Sequence, residues 1–265
     1  MSKKALNEEK LTTTETTQTL CMNCGNMLHH QFCATCGQKA STRRFSLKHF
    51  IVNDFVSAVL QLNKGFFYTL KELFTRPGHS IRAYVEGKRT KHFNYIAFLL
   101  ILVGASMYLM QFSPLDFNEV VNADHTENLP LDFNLEFNEN QKIILLISIP
   151  ILALISFLSF KKAAHYYTEH LVLMTYKTAG EFALNILFLI ITIFLGYETI
   201  SPQVLFIVTL IINLYSVWFL YQYFSVFGYS KGVLIRKCLV ITYVYNALVT
   251  IFIGIIYGFF LVLIR

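Results

Sequence analysis

Five long apolar runs constrain this chain more than any other feature of its sequence. Each is bounded by polar residues, and none has a lysine or arginine in its interior. A helix needs about 20 apolar residues to cross a hydrocarbon core of about 30 Å. Helices also pair their backbone amides within one segment, as a lipid environment requires. The pattern predicts an all-α integral membrane protein with five transmembrane helices, at residues 94–112, 142–160, 182–198, 203–224 and 239–264 of a domain spanning 93–265.

The composition supports this class of protein. Hydrophobic residues make up 55% of the 265 residues and charged residues 14%, whereas soluble domains are about 25% charged. Residues 1–20 are polar and rich in threonine. They lack the apolar core of a secretory signal, so we predict a disordered tail that is not exported.

The distribution of charge predicts the orientation. Residues 39–91 hold eleven of the 22 Lys and Arg, whereas residues 113–140 hold seven acids and neither Lys nor Arg. Positively charged loops remain on the cytosolic side of a membrane. The other loop cations lie between spans two and three and between spans four and five: Lys161, Lys162, Lys177, Lys231, Arg236 and Lys237. We therefore predict a multi-pass protein of the bacterial inner membrane, with a cytosolic amino terminus and a periplasmic carboxyl terminus.

Two Cys-x-x-Cys pairs within residues 21–40 predict a zinc-ribbon-like motif with a short hairpin between the two turns. Zinc binds four thiolates tetrahedrally, and each pair supplies two of them from one turn. An element of this size has no hydrophobic core, so the metal must supply its folding energy. A closed four-thiolate site is also structural rather than catalytic. The predicted ligands are Cys21, Cys24, Cys33 and Cys36.

Three other uses of these cysteines remain open. A cytosolic location disfavours disulfides, and a thioredoxin-like redox pair needs a βαβ setting that the chain lacks. An iron–sulfur cluster would use the same ligands. We expect His29 and His30, between the two pairs, to face solvent.

Residues 41–92 form a basic amphipathic module between this motif and the first span. Apolar residues recur at helical spacing, with a turn at 63–65, an end at 76–78 and a third helix capped by His79 or Ser80. An apolar stripe flanked by cations predicts a helical hairpin on the inner membrane face, in contact with anionic lipid headgroups. The alternative is a small soluble bundle that packs on itself. The stripe is Ile51, Phe55, Val59, Leu62, Phe66, Leu70 and Leu73.

Few residues of the spans suggest chemistry. His165, Glu169 and His170 suggest a metal site, but histidines five apart on a helix diverge by about 140°, so an interfacial belt of polar and aromatic residues is the stronger interpretation. Gly254 and Gly258 form a G-x-x-x-G motif, which would pack helices within the bundle or between two copies in a homo-oligomer. No predicted span carries an acid or a cation near its centre, which weakens a transport function.

The motifs C-x-N-C-G…F-C-x-x-C-G-Q, RFSLKHF and TLKELFTRPGHSIRAYVEGKR resemble the domain of unknown function 3667 family, found mostly in Bacteroidetes. Residues 21–95 carry most of the resemblance, and HYYTEHLVLMTY at 165–176 is a weaker second segment. The family's Asn-Pro pair at the first span is here Asn94-Tyr95. The resemblance implies a bacterial inner-membrane protein with a cytosolic zinc-ribbon-like amino terminus, and implies no activity.

The sequence favours a non-enzymatic membrane protein with a structural Zn²⁺ site and a membrane-surface interaction module. The alternative is a small-molecule transporter or permease subunit whose polar pocket Asn213 and Asn246 would line. Nucleic-acid binding is a weaker third hypothesis, because the orientation of the spans already explains the cations beside them.

Overall fold

The computed structural model describes residues 20–42, 65–112, 146–195 and 202–264, with Pro202 and residues 248–264 described by their backbone alone. These residues are helical, apart from the turns of the cysteine motif and the links between helices, which confirms the all-α prediction for this part of the chain. The predicted acidic loop and most of the predicted tail lie outside it. The helices are α1 (Gly65–Thr75), α2 (Pro77–Val85), α3 (Tyr95–Met110), α4 (Leu146–Ser159), α5 (Tyr167–Leu195), α6 (Pro202–Phe224) and α7 (Lys231–Ile264), with a 3₁₀ turn at Lys161–Ala163.

The helices of the bundle run in alternating directions. Phe160, just after α4, stacks on Phe224 at the end of α6 with ring centroids 3.6 Å apart. Lys237, near the start of α7, donates to the carbonyl of Ser159. The ends of α4 and α6 therefore meet the start of α7 at one end of the bundle. This is the arrangement that successive spans require.

The helix bounds agree with the predicted spans for α3 and α6 but not for α5 and α7. Helix α5 begins at Tyr167, well before residue 182, because the ammonium of Lys177 pairs with the Glu181 carboxylate one turn later and does not interrupt the helix. Helix α7 begins at Lys231, where the Ser230 carbonyl accepts a hydrogen bond from the Leu234 amide at 2.9 Å. Four of the cations assigned to loops thus lie inside α-helices: Lys177, Lys231, Arg236 and Lys237.

Two helices of the described residues, Tyr167–Leu195 and Gln203–Phe224, are long and apolar enough to cross a membrane. Helices α3 and α4 are apolar but shorter, with 16 residues in α3 and 14 in α4 (Leu146–Ser159). Five transmembrane spans therefore stay a prediction.

Helix α2 packs against α6. The helical hairpin predicted on the membrane face stays a prediction, because Ile51, Phe55, Val59 and Leu62 of its apolar stripe lie outside the described residues. A Cβ added at Gly78 would lie 2.3 Å from the backbone nitrogen of Tyr223 in α6. The Nη1 of Arg82 donates to the carbonyls of Gln222 at 3.1 Å and Tyr223 at 3.0 Å. These carbonyls close α6, so a cation there also interacts favourably with the helix dipole.

Helix α1 keeps a mixed surface. Leu73 is buried, and Phe66 and Leu70 pack on the same hydrophobic core. Phe67 and Phe74 remain exposed. Helix α1 ends at Thr75, as expected from the Arg76-Pro77-Gly78 sequence. Residues 63 and 64 of the predicted turn at 63–65 lie outside the described residues.

Candidate metal centre

Each Cys-x-x-Cys-Gly segment folds into the same tight turn. The amide of Cys21 donates to the Asn26 carbonyl, and the amide of Cys33 donates to the Gln38 carbonyl, both at 2.8 Å. Gly25 and Gly37 follow the second cysteine of each pair with φ of +77° and +73°. Glycine adopts this left-handed conformation without a Cβ clash. The sequence repeat therefore yields a structural repeat.

The two turns are joined differently from the predicted hairpin. Each closes its own antiparallel bridge, Leu20 with Met27 and Phe32 with Lys39. Between the turns, the Asn26 Nδ2 donates to the Thr35 Oγ1 at 2.7 Å. No backbone pairing in the described residues links the two turns directly, because each uses its paired edge locally. The cysteine cluster and this side-chain hydrogen bond therefore hold the turns together.

The four sulfur atoms lie within 4.8 Å of one another. The Sγ atoms of Cys21 and Cys36 are 3.6 Å apart, and those of Cys24 and Cys33 are 3.5 Å apart. Tetrahedral thiolates at a Zn–S distance of about 2.3 Å would lie about 3.8 Å apart. The cysteines are free thiols, so the cluster fits one tetrahedral metal ion. The structure leaves His29 and His30 exposed, as predicted.

The thiols do not ionise equally. A hydrogen bond from the Gln38 amide, with another from the Asn23 side chain, lowers the pKa of Cys36 to about 6. The amides of Cys36 and Thr35 lower the pKa of Cys33. The Asn26 amide also favours the Cys24 thiolate, but burial and the neighbouring sulfurs outweigh it and raise the pKa of Cys24 to about 12. Ionised thiols this close together repel one another, and a bound divalent cation would offset their negative charge.

Gln38, the residue after Gly37, fixes the cysteine motif to the loop that follows α2. Its Nε2 donates to the Gly87 carbonyl at 2.8 Å. Its Oε1 accepts from the Arg89 amide at 3.2 Å and the Thr90 hydroxyl at 3.1 Å. Gln38 is buried, and a buried amide is retained only where such partners satisfy it. The motif is thus attached to the helical module by a specific polar contact.

A contact of Met22 with Gly87 supports the same attachment, while other apolar side chains of the cysteine motif stay exposed. A Cβ added at Gly87, which has φ of +114°, would lie 2.9 Å from the Cε of Met22. Leu20, Met27 and Phe32 are exposed. A pocket of about 270 Å³ lies beside the turns, lined by Leu20, Cys21, Met22, Leu28, Gln38, Lys39, Ala40 and Thr42.

Two polar pairs connect α1, α2 and the loop after α2. The Arg76 guanidinium binds the Glu72 carboxylate at 2.7 Å, and the Ser80 hydroxyl lies 2.8 Å from the Nε2 of His92. Ser80 therefore bonds His92 instead of capping α2, which begins at Pro77. Burial lowers the pKa of His92 to about 4. Ser80 is only 5% exposed, so this pair positions the loop and is not an accessible nucleophile.

The histidines predicted as a weak metal site do approach one another. His165 precedes α5 instead of lying on it, so its ring centroid is 5.9 Å from that of His170. Each histidine has another partner: His165 Nδ1 lies 3.3 Å from the Tyr223 hydroxyl, and His170 Nδ1 lies 2.9 Å from the Ser156 hydroxyl. Glu169 accepts from the Tyr166 amide at 2.8 Å. Among the described residues only the four cysteines form a metal-ligating group of three or more.

The amides predicted to line a transport pocket pair with each other. The Asn246 Nδ2 donates to the Asn213 Oδ1 at 2.6 Å, joining α7 to α6. Ser106 and Asn185 join α3 to α5 in the same way at 3.2 Å. Gly254 and Gly258 lie in the part of α7 described by its backbone alone, so their role in an oligomer stays a prediction.

A family described as "Protein of unknown function (DUF3667)" matches residues 63–106. The match covers α1, α2, the loop that receives Gln38 and most of α3, and confirms the resemblance for these residues. It leaves out the cysteine motif. No curated protein and no solved structure matches the chain.

Proposed function

We propose that this chain, which matches the DUF3667 family, is a multi-pass inner-membrane protein. It would bind a partner through a zinc-stiffened cytosolic module. The role is non-enzymatic: the four thiolates would close the coordination sphere of the zinc and leave no position for a substrate. The proposal includes five spans, a cytosolic amino terminus and a periplasmic carboxyl terminus.

The observation that carries this proposal is the buried contact of Gln38 with the loop after α2. A loosely tethered metal motif would need no buried polar anchor. An anchored one presents its exposed side chains in a fixed direction, which lowers the entropy lost on binding. Zinc would supply the local folding energy that so short an element cannot obtain from a core.

The surface beside the zinc site suits a protein partner. Leu20, Met27 and Phe32 expose 61%, 52% and 55% of their surface, and the adjacent pocket could receive an apolar side chain. Leu20 and Met27 are neighbours in one antiparallel bridge, and adjoining exposed apolar residues are typical of interaction sites. Lys71, Lys88 and Lys91 are exposed on the neighbouring module, where they would contact anionic lipid headgroups.

The test is photocrosslinking in intact cells with a photoreactive residue in place of Phe32. We expect a discrete crosslinked protein that disappears when Cys24→Ser is added, because loss of a ligand unfolds the turns. The crosslinked partner should be a protein that is accessible from the cytosolic side only. A crosslinking pattern unaffected by Cys24→Ser, or a partner accessible from the periplasm, would contradict the proposal.

Transport by a pocket between Asn213 and Asn246 is less well supported, since the two amides satisfy each other.

A further inference from the structure

Two segments that are distant in the sequence meet where α4 ends and α7 begins. The amide of Lys162 donates to the Tyr229 hydroxyl at 3.0 Å, and its Nζ donates to the Gly228 carbonyl at 3.2 Å. The Nζ of Lys237 donates to the Ser159 carbonyl. These hydrogen bonds join residues 66 to 78 positions apart. The α4–α7 junction is the name used here for residues 159–162 and 228–237.

Two cations of the α4–α7 junction share one aromatic ring. The Nζ of Lys162 lies 5.1 Å from the centroid of the Tyr229 ring, and the Nζ of Lys237 lies 5.2 Å from it. The Lys237 Nζ is also 5.7 Å from the ring of Phe160, which packs edge-on against Tyr229. One carbonyl and a ring face use only part of an ammonium's three donors. Both cations are therefore held in place and can still bind an anion.

The α4–α7 junction carries positive charge that the acids of the bundle helices do not offset. Helices α4, α6 and α7 contain neither Asp nor Glu. In α5, the buried Glu169 accepts from the Tyr166 amide, and Glu181 pairs with Lys177. Like charges gathered at one place repel, so a bound anion would stabilise the junction. Its cations are Lys161, Lys162, Lys231 and Arg236, which are exposed, and the half-buried Lys237.

Helix α4 exposes an apolar face that leads away from these cations. Leu158, Leu154 and Ile151 expose 55%, 47% and 50% of their surface. Residues three and four apart lie on one face of a helix. The cations of the 3₁₀ turn that begins at Lys161 thus adjoin an exposed apolar surface.

Helix α7 repeats this arrangement. Val240 and Val244 expose 52% and 39% of their surface, and they follow Arg236 at steps of four residues, on the same helix face. The Ser148 hydroxyl of α4 lies 3.0 Å from that of Tyr245 in α7, so the two helices run side by side in opposite directions from the junction's carbonyl contact. Both apolar faces therefore extend from the cations toward the same end of the bundle.

We propose that the α4–α7 junction binds the phosphate headgroup of one anionic phospholipid, whose acyl chains lie along the exposed apolar faces of α4 and α7. This inference rests on the proposed function, whose orientation places the junction on the cytosolic side, and adds a lipid site apart from the zinc module. Basic residues between helices on that side are suited to anionic headgroups. A soluble phosphate or a nucleic acid would use the cations but not the adjoining apolar faces, so these faces favour a lipid.

Native mass spectrometry of the full chain, purified and delipidated in detergent, tests this site. The probe is dioleoylphosphatidylglycerol, and the comparison lipid is dioleoylphosphatidylcholine, whose headgroup has no net charge. We expect one phosphatidylglycerol per chain to be retained at concentrations where phosphatidylcholine is not. Lys161→Gln/Arg236→Gln changes only exposed side chains and should weaken this binding about tenfold or more. Lys88→Gln/Lys91→Gln removes the same charge from exposed positions after α2 and should leave the retained lipid in place.

Two further variants separate the alternatives. Lys162→Gln/Lys237→Gln should lose the lipid, and the exposed pair of substitutions decides the outcome if this variant does not fold, because both lysines bond carbonyls of the junction. Cys24→Ser should bind the lipid as the unaltered chain does, so this proposal and the proposed function can fail separately.

Four results would overturn the lipid site. Equal retention of the two lipids would indicate an adventitious additive only, and displacement of the lipid by inorganic phosphate would indicate a site for free phosphate. Equal loss in Lys161→Gln/Arg236→Gln and Lys88→Gln/Lys91→Gln would indicate a general attraction of charge. Loss of the lipid in Cys24→Ser would place it at the zinc module.

Discussion

The side chain of Gln38 donates to the backbone carbonyl of Gly87 across 2.8 Å, in a buried contact between residues 49 positions apart. This bond connects a turn that carries two of the four clustered cysteines to the segment that the family match covers. It makes the cysteine motif part of the same folded unit as α2 and α3, and it can be removed without touching a thiol.

Gln38→Ala should release the motif while leaving its metal in place. The substitution leaves the Gly87 carbonyl and the Arg89 amide without their buried partner, at a cost of about 1–3 kcal/mol. Hydrogen exchange should accelerate in residues 20–42 and 87–92 at an unchanged metal content. Lys39→Ala, at the exposed next position, is the matched control. Equal exchange in both variants would show that the contact does not hold the motif.

Gly78→Ala should destabilise the bundle, because the new Cβ would lie 2.3–2.5 Å from atoms of Tyr223, Phe219 and Gln222. Overpacking of this kind costs about 1–3 kcal/mol or more. Gly104→Ala in α3 meets nothing within 4 Å and should be neutral or stabilising, since alanine favours helix by about 1 kcal/mol. Thermal unfolding in detergent separates the two. A similar melting temperature for both would contradict the close approach of α2 to α6.

Acidification should weaken the loop that receives Gln38. Burial lowers the pKa of His92 from 6.5 to about 4, so the unfolded chain binds a proton between these values that the folded chain does not. The free energy of unfolding is therefore unaffected by His92 above about pH 6.5. It decreases as the pH falls from 6.5 toward 4, by up to about 3 kcal/mol in total. His92→Gln cannot titrate and should flatten this part of the stability profile. Identical pH profiles for the two proteins would rule out His92 as the cause.

Thr35→Ala should loosen the two turns relative to each other while leaving each turn intact. It removes the acceptor of the 2.7 Å hydrogen bond from Asn26, an exposed contact worth about 1 kcal/mol. Faster exchange of the metal with a chelator is the expected result, because the sulfurs lose a support of their geometry. Ser41→Ala, exposed and outside both Cys-x-x-Cys turns, serves as the comparison, and equal exchange rates would contradict this role for Asn26.

Local patterns in the sequence predicted the cysteine cluster well. The spacing of the cysteines and the glycine after each pair indicate both the grouping of the four thiols and the left-handed turns, because these depend on a few neighbouring residues. The partner of Gln38 lies 49 residues away, and no local signal marks it. The helix from Phe66 to Leu73 was visible by its period, but burial of α2 was not, since the surface that covers it belongs to α6.

Charges were the main source of error within the bundle. The charge pattern assigns Lys177 to a loop, because cations between apolar runs are typical of cytosolic loops. Glu181, four residues later, neutralises it on the same helix face, and that pairing is compatible with helix spacing. The prediction that His165 and His170 diverge was wrong because it placed both residues on one helix. The helix begins at Tyr167, so His165 precedes it.

Metal analysis of the purified full-length protein, combined with X-ray absorption at the zinc edge, tests the central claim most directly. We predict one zinc per chain bound by four sulfur atoms at about 2.3 Å, with loss of the metal and of the folded turns in Cys24→Ser but not in Cys238→Ser, whose thiol lies buried in α7. Well under one zinc per chain, or turns that remain folded in Cys24→Ser, would contradict it.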